Sequence, residues 1–390
     1  MDLPSALPRQ LLGSSSAEEV GRCLAKELET WRARPKLATV LLTQLSRRKL
    51  PSVAELVLQA MRGSQVEVNV FHYNTLVSAW EKTGRWERAV ELLREMPDLR
   101  VMPDTFSFSA AISACSACGL WQRALGLLWE MPEVRVLADE FSFNAAITGC
   151  EKGYQGQLAV QMLSQMSEVS LRPDAISYNA AVSACEKSGL WPTAISLLRQ
   201  MVCEGLVPDV FSYSAAMSAC EKGNNWQLAI GLLEEMSDRK VSPNIISYSA
   251  AISSCEKADC WERSLELFSA LCAAGLSPDT ISCSAAISAC DKGRQWQLAL
   301  ELLRQMTSLK VRQNEISFNS AISACEKGGQ WQLALDLLSN MSDLSLRPTV
   351  VSYCGAIGAH ERACKGTPSL MSLMGKMQEL LLVTLALRAG

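Results

Sequence analysis

Three side-chain chemistries recur along this chain at a spacing of thirty-five residues. A short amide or hydroxyl stands at Asn74, Ser109, Asn144, Asn179, Ser214, Ser249, Ser284 and Asn319. Three positions earlier comes a branched or aromatic apolar residue: Phe71, Phe106, Phe141, Ile176, Phe211, Ile246, Ile281 and Ile316. Lysine closes the set at Lys82, Lys152, Lys187, Lys222, Lys257, Lys292 and Lys327, with Ala117 breaking the series. At about 100° per residue these positions fall along one side of a helix. Aligned copies therefore give three parallel rows, apolar, hydrogen-bonding and cationic. Such rows suit single-stranded RNA: apolar groups flank unstacked bases, short polar groups reach base edges, and ammonium groups meet phosphates. For one copy alone, an Asn or Ser capping a helix start and a solvated Lys at its end would be the simpler reading. Eight aligned copies favour the binding surface.

The elements that must hold these rows are clearest in residues 175–209. One helical run extends from Ala175 to about Lys187 and a second from about Leu190 to Met201. Gly189 separates them, and Gly205 to Pro208 ends the second, since glycine frees the backbone and proline cannot continue a helix. Within the first run, Tyr178, Ala181, Val182 and Cys185 form an apolar stripe that must face the second helix and the next copy. A pair of helices this small cannot bury its own apolar faces, so neighbouring copies must do it. Sliding the chain by thirty-five residues aligns Tyr73, Phe108, Phe143, Tyr178, Tyr213, Tyr248, Phe318 and Tyr353, with Cys283 in the remaining slot. Self-similarity of that kind marks a stacked array. The expected fold is all-α, a right-handed α-solenoid superhelix of stacked helix-turn-helix repeats.

Nine such repeats are expected over 35–349, the first (35–69) degenerate but in phase at Thr39, Met61 and Asn69. A further unit opens with Val-Ser-Tyr at 351–353, then loses the pattern at Pro368 and at an inserted residue before Met377. The apolar tail Leu380–Leu387 is too short to span a membrane and reads as a terminal cap. Residues 1–34 lie outside the period, and a capping helix is expected over 17–32. With Asp2, Glu18, Glu19, Glu27 and Glu29 they do not resemble the Arg-rich, acid-poor transit peptides.

Nearly half the residues are apolar and a fifth are charged, a folded composition. The formal charge of −3 runs against nucleic-acid binding and leaves only a local basic stripe to support it. Of fifteen cysteines, Cys115, Cys150, Cys185, Cys220, Cys255, Cys290 and Cys325 share one phase. Helix layers pack roughly 8–10 Å apart, too far for disulfides between successive rungs. Buried free thiols are the expectation. Cys115 and Cys118 make one Cys-x-x-Cys without a second half or a histidine at finger spacing, so zinc is not expected. Trp86, Trp121, Trp191, Trp226, Trp261, Trp296 and Trp331 open the second helices and are expected as buried inter-repeat anchors. Gly156 takes that slot in the unit 140–174, which should then be the least well packed layer.

The order of these features resembles the pentatricopeptide repeat family: an aromatic-Asn/Ser pair in helix one, Cys-Glu-Lys at its close, Ala-x-x-Leu-Leu-x-x-Met in helix two, then Pro-Asp. The related tetratricopeptide repeat has a period of about thirty-four and a different set of marker residues. The resemblance adds the last residue of each repeat to the site and implies that it chooses one base jointly with the Asn/Ser position. Larger Asn leaves room for a pyrimidine and Ser for a purine. A terminal Asp only accepts, matching U or G, whereas a terminal Asn can donate, matching A or C. Carried over, Thr39/Asn69 implies A, Asn74/Asp104 U, Ser109/Asp139 G, and Asn144/Asp174 and Asn179/Asp209 both U. Ser214/Asn244 implies A, Ser249/Asp279 G and Ser284/Asn314 A, while Asn319 with Thr349 implies a pyrimidine. The expected target is 5′-AUGUUAGA followed by a pyrimidine.

The resemblance further implies a monomer that needs no cofactor or membrane, with single-stranded RNA as partner and room for a processing enzyme or another protein. It implies a role in organellar RNA processing, stability or translation, in the mitochondrion or plastid. Without a transit peptide the cytoplasm stays open. Some members carry a C-terminal catalytic domain, but 350–390 is too short for one, and His72 and His360 are the only histidines. Catalysis is therefore not expected. The rival reading is a protein-binding α-solenoid, which fits the net charge better but leaves the recurring Asn/Ser and terminal Asp/Asn unexplained.

Overall fold

A computed structural model describes residues 16–33 and 36–363. Within them every regular element is a helix. Contacts divide the chain into two compact units that meet between Leu206 and Val207.

The first unit holds α1 (Ala17–Cys23), α2 (Ala25–Ala33), α3 (Lys36–Arg47), α4 (Pro51–Gly63), α5 (Val70–Lys82), α6 (Trp86–Asp98), α7 (Thr105–Ala117), α8 (Trp121–Glu133), α9 (Glu140–Lys152), α10 (Gly156–Glu168), α11 (Ala175–Lys187) and α12 (Trp191–Cys203). From α3 to α11 odd helices stack on odd helices, α4, α6, α8 and α10 each pack between their own partner and the next odd helix, and α12 packs on α11. The second unit repeats this order with α13 (Val210–Lys222), α14 (Trp226–Asp238), α15 (Ile245–Lys257), α16 (Trp261–Ala273), α17 (Thr280–Lys292), α18 (Trp296–Ser308), α19 (Glu315–Lys327), α20 (Trp331–Asp343) and α21 (Val350–Ala363). It is an all-α repeat solenoid.

The local chemistry explains the boundaries. The odd helices from α5 to α19 begin at an Asn or Asp cap, as at Asp279, whose Oδ1 accepts the Ser282 N–H at 2.8 Å. Even helices have no side-chain cap, and most of them start directly on tryptophan. The turns between helices pass through the left-handed region, at glycine in Gly84, Gly119, Gly189 and Gly329 but at Tyr154, Asn224, Asp259 and Arg294 in other copies.

The core is the stripe expected from the sequence. Tyr178, Ala181, Val182 and Cys185 are fully buried, as are Ala194 and Met201 on the facing helix, with Leu197 and Leu198 nearly so. Each large side chain removed from water contributes about 1.5–3 kcal/mol, and the copies above and below supply the second wall. The cysteine row lies in this core. Burial pushes Cys115, Cys150, Cys185, Cys220, Cys255 and Cys325 up to about 11 and Cys290 up to about 12. Cys115 and Cys118 part company, the first buried and the second exposed.

Three expectations are corrected. The tryptophans are half-buried, because each indole lies over the edge of the layer, against the residue that ends the next odd helix. A Cβ at Gly293 would fall 2.6 Å from the Trp261 indole, and Trp121 and Trp296 crowd Gly153 and Gly328 in the same way. The Gly156 layer is not loose. Gly156 is buried, and a Cβ there would sit 3.1 Å from the Cys185 Cα and from the Ala184 carbonyl, so α10 approaches α11 directly. Ser188, one of the non-glycine residues at the glycine position, places its Oγ 2.8 Å from the Gly156 N–H and accepts from it. Finally, the single helix expected over 17–32 is two, α1 and α2, divided at Leu24, whose φ of −104° and ψ of 15° leave the helical range. Val20, Leu24, Leu28 and Trp31 still share one buried face. The features expected at 1–15, Pro368, Met377 and 380–387 lie outside the described residues.

Candidate nucleic-acid interface

In each unit the face formed by the odd helices carries the three rows. The apolar row is open: Phe71, Phe106, Phe141, Ile176, Phe211, Ile246, Ile281 and Ile316 are 53–68% exposed. These residues occupy the second position of each helix, where the first turn projects away from the core. Folding would not leave a regular series of large apolar groups in water for the sake of stability, and such a patch marks a contact surface.

Beside them the paired positions meet. Asn74 Nδ2 donates to Asp104 Oδ1 at 3.0 Å and Asn144 Nδ2 to Asp174 Oδ1 at 3.3 Å. Ser284 Oγ donates to Asn314 Oδ1 at 3.2 Å, while Ser109, Ser214 and Ser249 reach Asp139, Asn244 and Asp279 more weakly at 3.4–3.5 Å. Asn319 Nδ2 donates to Thr349 Oγ1 at 3.3 Å. Thr39 and Asn69 share no hydrogen bond among the described residues. Asn179 lies in the first unit and Asp209 in the second.

The capping role belongs to the terminal residue, not to the Asn/Ser position one turn into the helix. In every capped copy Oδ1 does this work: it accepts the third N–H of the helix and, in most, the hydroxyl of the serine that carries it. At Asp174, burial raises the carboxyl pKa, but the bonds from Ser177 and Asn144 outweigh that and hold it below its ordinary value. All side-chain hydrogen bonds to Asp104, Asp139 and Asp279 among the described residues end on Oδ1, leaving Oδ2 open. In Asn244 and Asn314 the same Oδ1 is used and Nδ2 is open. The open atom is thus an acceptor in one residue type and a donor in the other.

The serine at the third helix position was not read from the sequence as part of the site. The Ser107 and Ser177 hydroxyls each lie between two acceptors, the cap Oδ1 and the Asn74 or Asn144 Oδ1 at 2.5 and 2.6 Å, and share one hydrogen between them, which sets both amides with Nδ2 toward the carboxylate. Its signal was available: a serine stands two residues before almost every Asn/Ser in the row. Val351, 63% exposed, extends the apolar row by one copy, with Cys354 exposed in the Asn/Ser slot.

The lysine row is in part neutralised. Lys187 meets Glu151 at 2.8 Å, Lys257 meets Glu221 at 3.0 Å and Lys327 meets Asp291 at 3.0 Å. Lys292 meets both Glu256 and Asp259 at 3.1 Å. Burial lowers the Lys292 pKa, but hydrogen bonds to those two carboxylates raise it by more. Apart from Asp259, the acid is in each case the one just before the lysine of the preceding copy. Acids at this position also accept hydroxyls: Glu151 from Ser183, Glu256 from Ser288, and Glu81, which meets no lysine of the row among the described residues, from Ser113. Lys82 and Lys152 differ. The positions equivalent to the acid are Ser46 and Ser116; Lys152 Nζ donates only to the Ala117 carbonyl at 3.1 Å, and Lys82 forms no ion pair among the described residues.

Both histidines have structural roles. His72 completes the Asn69 capping box, accepting the Asn69 N–H on Nδ1 at 3.1 Å. His360 replaces the buried cysteine of its copy and packs edge-on against Trp331 at 5.0 Å. No described helix is long and apolar enough to cross a membrane.

Comparison with known proteins gives consistent matches. Three models of one repeat fit the sequence: "PPR repeat family" at 68–117, "Pentatricopeptide repeat domain" at 196–257, 266–328 and 301–361, and "PPR repeat" at 106–136, 176–206 and 246–276. Among curated proteins no sequence matches. The structure is similar to that of the pentatricopeptide repeat protein PPR10 crystallised with an 18-nt psaJ RNA element, at a TM-score of 0.62 and 20% identity. That likeness covers 94% of this chain but 57% of PPR10. A crystal structure of the pentatricopeptide repeat protein PPR10 from maize is similar at a TM-score of 0.52 and 21% identity, over 89% of this chain and 57% of that one.

Proposed function

The chain belongs to the pentatricopeptide repeat family, and from that premise we propose that it binds single-stranded RNA, with one base held by each repeat. The observation that carries this reading is the pairing of an exposed apolar row with a row of caps whose open atom is Oδ2 in Asp and Nδ2 in Asn. In this function Phe71, Phe106, Phe141, Ile176, Phe211, Ile246, Ile281 and Ile316 flank the bases. The base edge meets the Asn/Ser position and the open cap atom. Ser109, Ser214, Ser249 and Ser284 are smaller than the Asn of the other copies, which supports more room for a purine there. The neighbour PPR10, crystallised with RNA, supports the same class of ligand.

The function is binding, not chemistry. Neither histidine is available as an acid or base, and burial keeps the thiols of the cysteine row protonated at neutral pH.

The test is equilibrium binding to 5′-AUGUUAGAC and to the same RNA with A at the seventh base, for the parent and for Asp279→Asn. Asn244 and Asn314 cap their helices through Oδ1 as Asp279 does, so the substitution keeps the fold and exchanges an open acceptor for an open donor. Preference at the seventh base should move from G to A by about 1–3 kcal/mol. An unchanged preference there would remove the base-reading function, and equal affinity for duplex RNA would remove the single-stranded one.

A further inference from the structure

The lysine row and the apolar row change character at nearly the same place in the chain. In α5 and α9 the lysines, Lys82 and Lys152, have no carboxylate, because Ser46 and Ser116 stand where other copies have Glu or Asp. In α15, α17 and α19 each lysine is held by the acid of the preceding copy. An ammonium already bound to a carboxylate must give up that partner, or share it, to reach a phosphate; one bound only to a carbonyl or to water need not. The apolar row changes independently. It is Phe71, Phe106 and Phe141 over α5, α7 and α9, alternates as Ile176 and Phe211 over α11 and α13, and is Ile246, Ile281 and Ile316 over α15, α17 and α19, all comparably exposed. A planar ring stacks on a base face, whereas a branched aliphatic group offers contact without stacking.

We propose that single-stranded RNA is anchored over α5, α7 and α9, where Phe71, Phe106 and Phe141 stack on bases and Lys82 and Lys152 take phosphates, while α15, α17 and α19 select bases with little anchoring of their own. This rests on the RNA-binding function given above and adds to it an uneven distribution of affinity along the face. The Ala117 break belongs to the same device: with no lysine and no acid in α7, Lys152 loses its neutralising partner. Glu221, Glu256 and Asp291 are each held against a lysine of the second unit, whereas Lys82 and Lys152 of the first unit meet no carboxylate among the described residues.

The experiment measures affinity of the full chain for 5′-AUGUUAGAC against salt, with matched substitutions in the two regions. Lys152→Ala should lose about 5-fold or more and lower the salt slope by about 0.7, the value for one phosphate contact on a single strand. Lys292→Ala should lose less than a third as much, and Lys152→Arg should keep both affinity and slope, which separates charge from folding. Phe106→Ile should weaken binding and Ile281→Phe should strengthen it, each by several-fold. Equal losses for Lys152→Ala and Lys292→Ala, or a larger loss for the second, overturn the proposal while RNA binding itself stands. If the parent chain does not bind the RNA at all, the function given above fails first and this inference with it.

Discussion

The layer between α10 and α11 and the layer between α16 and α17 close the same gap with opposite chemistry. In the second, Trp261 fills the space and the facing residue is Gly293, with no side chain to meet it. In the first, glycine and side chain exchange sides: Gly156 lets the helices approach, and Ser188 bonds to the freed N–H. The sum of the two positions is what the layer requires. A repeat can therefore lose its tryptophan without losing its packing, provided the next copy answers.

Substitutions that break this pairing should cost in a definite order. Gly156→Trp puts an indole where the backbone of Cys185 already lies, and should lower the unfolding free energy by about 3 kcal/mol. Adding Ser188→Gly should recover part of that loss in urea unfolding, and a single variant as stable as the parent would refute the direct approach of α10 to α11. Gly293→Ala should cost about 1–2 kcal/mol against the Trp261 ring. In a Trp261→Ala background the same change should become neutral or slightly stabilising, by about 0.5 kcal/mol, because the φ of −75° at this cap suits alanine. If the sign does not change with background, the indole is not what demands glycine. Ser188→Ala, which orphans the Gly156 N–H, should cost about 1 kcal/mol.

The smallest difference is expected at the thiols. Cys150 and Cys185 lie in a tryptophan layer and in the glycine layer, and burial pushes both up to about 11. They should be alkylated equally slowly near neutral pH, and faster reaction at Cys185 would show the glycine layer to be loose after all. The thiols of the unfolded chain ionise near the ordinary 9.0 while the folded ones keep their protons to about 11. Stability from this source is thus intact below pH 9 and declines as pH rises toward 11. Measured unfolding at stepped alkaline pH should show the decline, and replacing Cys150 by Ala should make it shallower.

The sequence made the framework legible because the framework is periodic. Tyr178, Cys185 and Met201 are buried for reasons contained in one copy, and the helix over 175–187 is found where the phase put it. What escaped depends on the offset between copies. The phase placed Lys187 on a working stripe but could not show that Glu151, thirty-six residues earlier, would reach it. The clue was the adjacency of Glu and Lys at the end of each first helix, which at a thirty-five-residue period sets unlike charges side by side. Ser188 escaped for the same reason, as its meaning lies in Gly156 of the copy before. The Asn/Ser position was visible as chemistry, but its cap is its neighbour: the residue that starts the next helix does the capping.

That shared duty limits what the repeat can express. A side chain at the end of each copy must satisfy a backbone N–H before it can do anything else, and few residue types cap a helix well. The alphabet available to the reader is accordingly short: Asp, Asn and, at position 349, Thr. Lys or Arg would offer a base stronger hydrogen bonds but would leave the helix start unsatisfied, so vocabulary and thermodynamics are set by the same atom. Changes of meaning that keep the cap, such as Asp to Asn, are nearly silent for folding, and a chain of this kind can drift from one target to another in single steps without passing through an unstable intermediate.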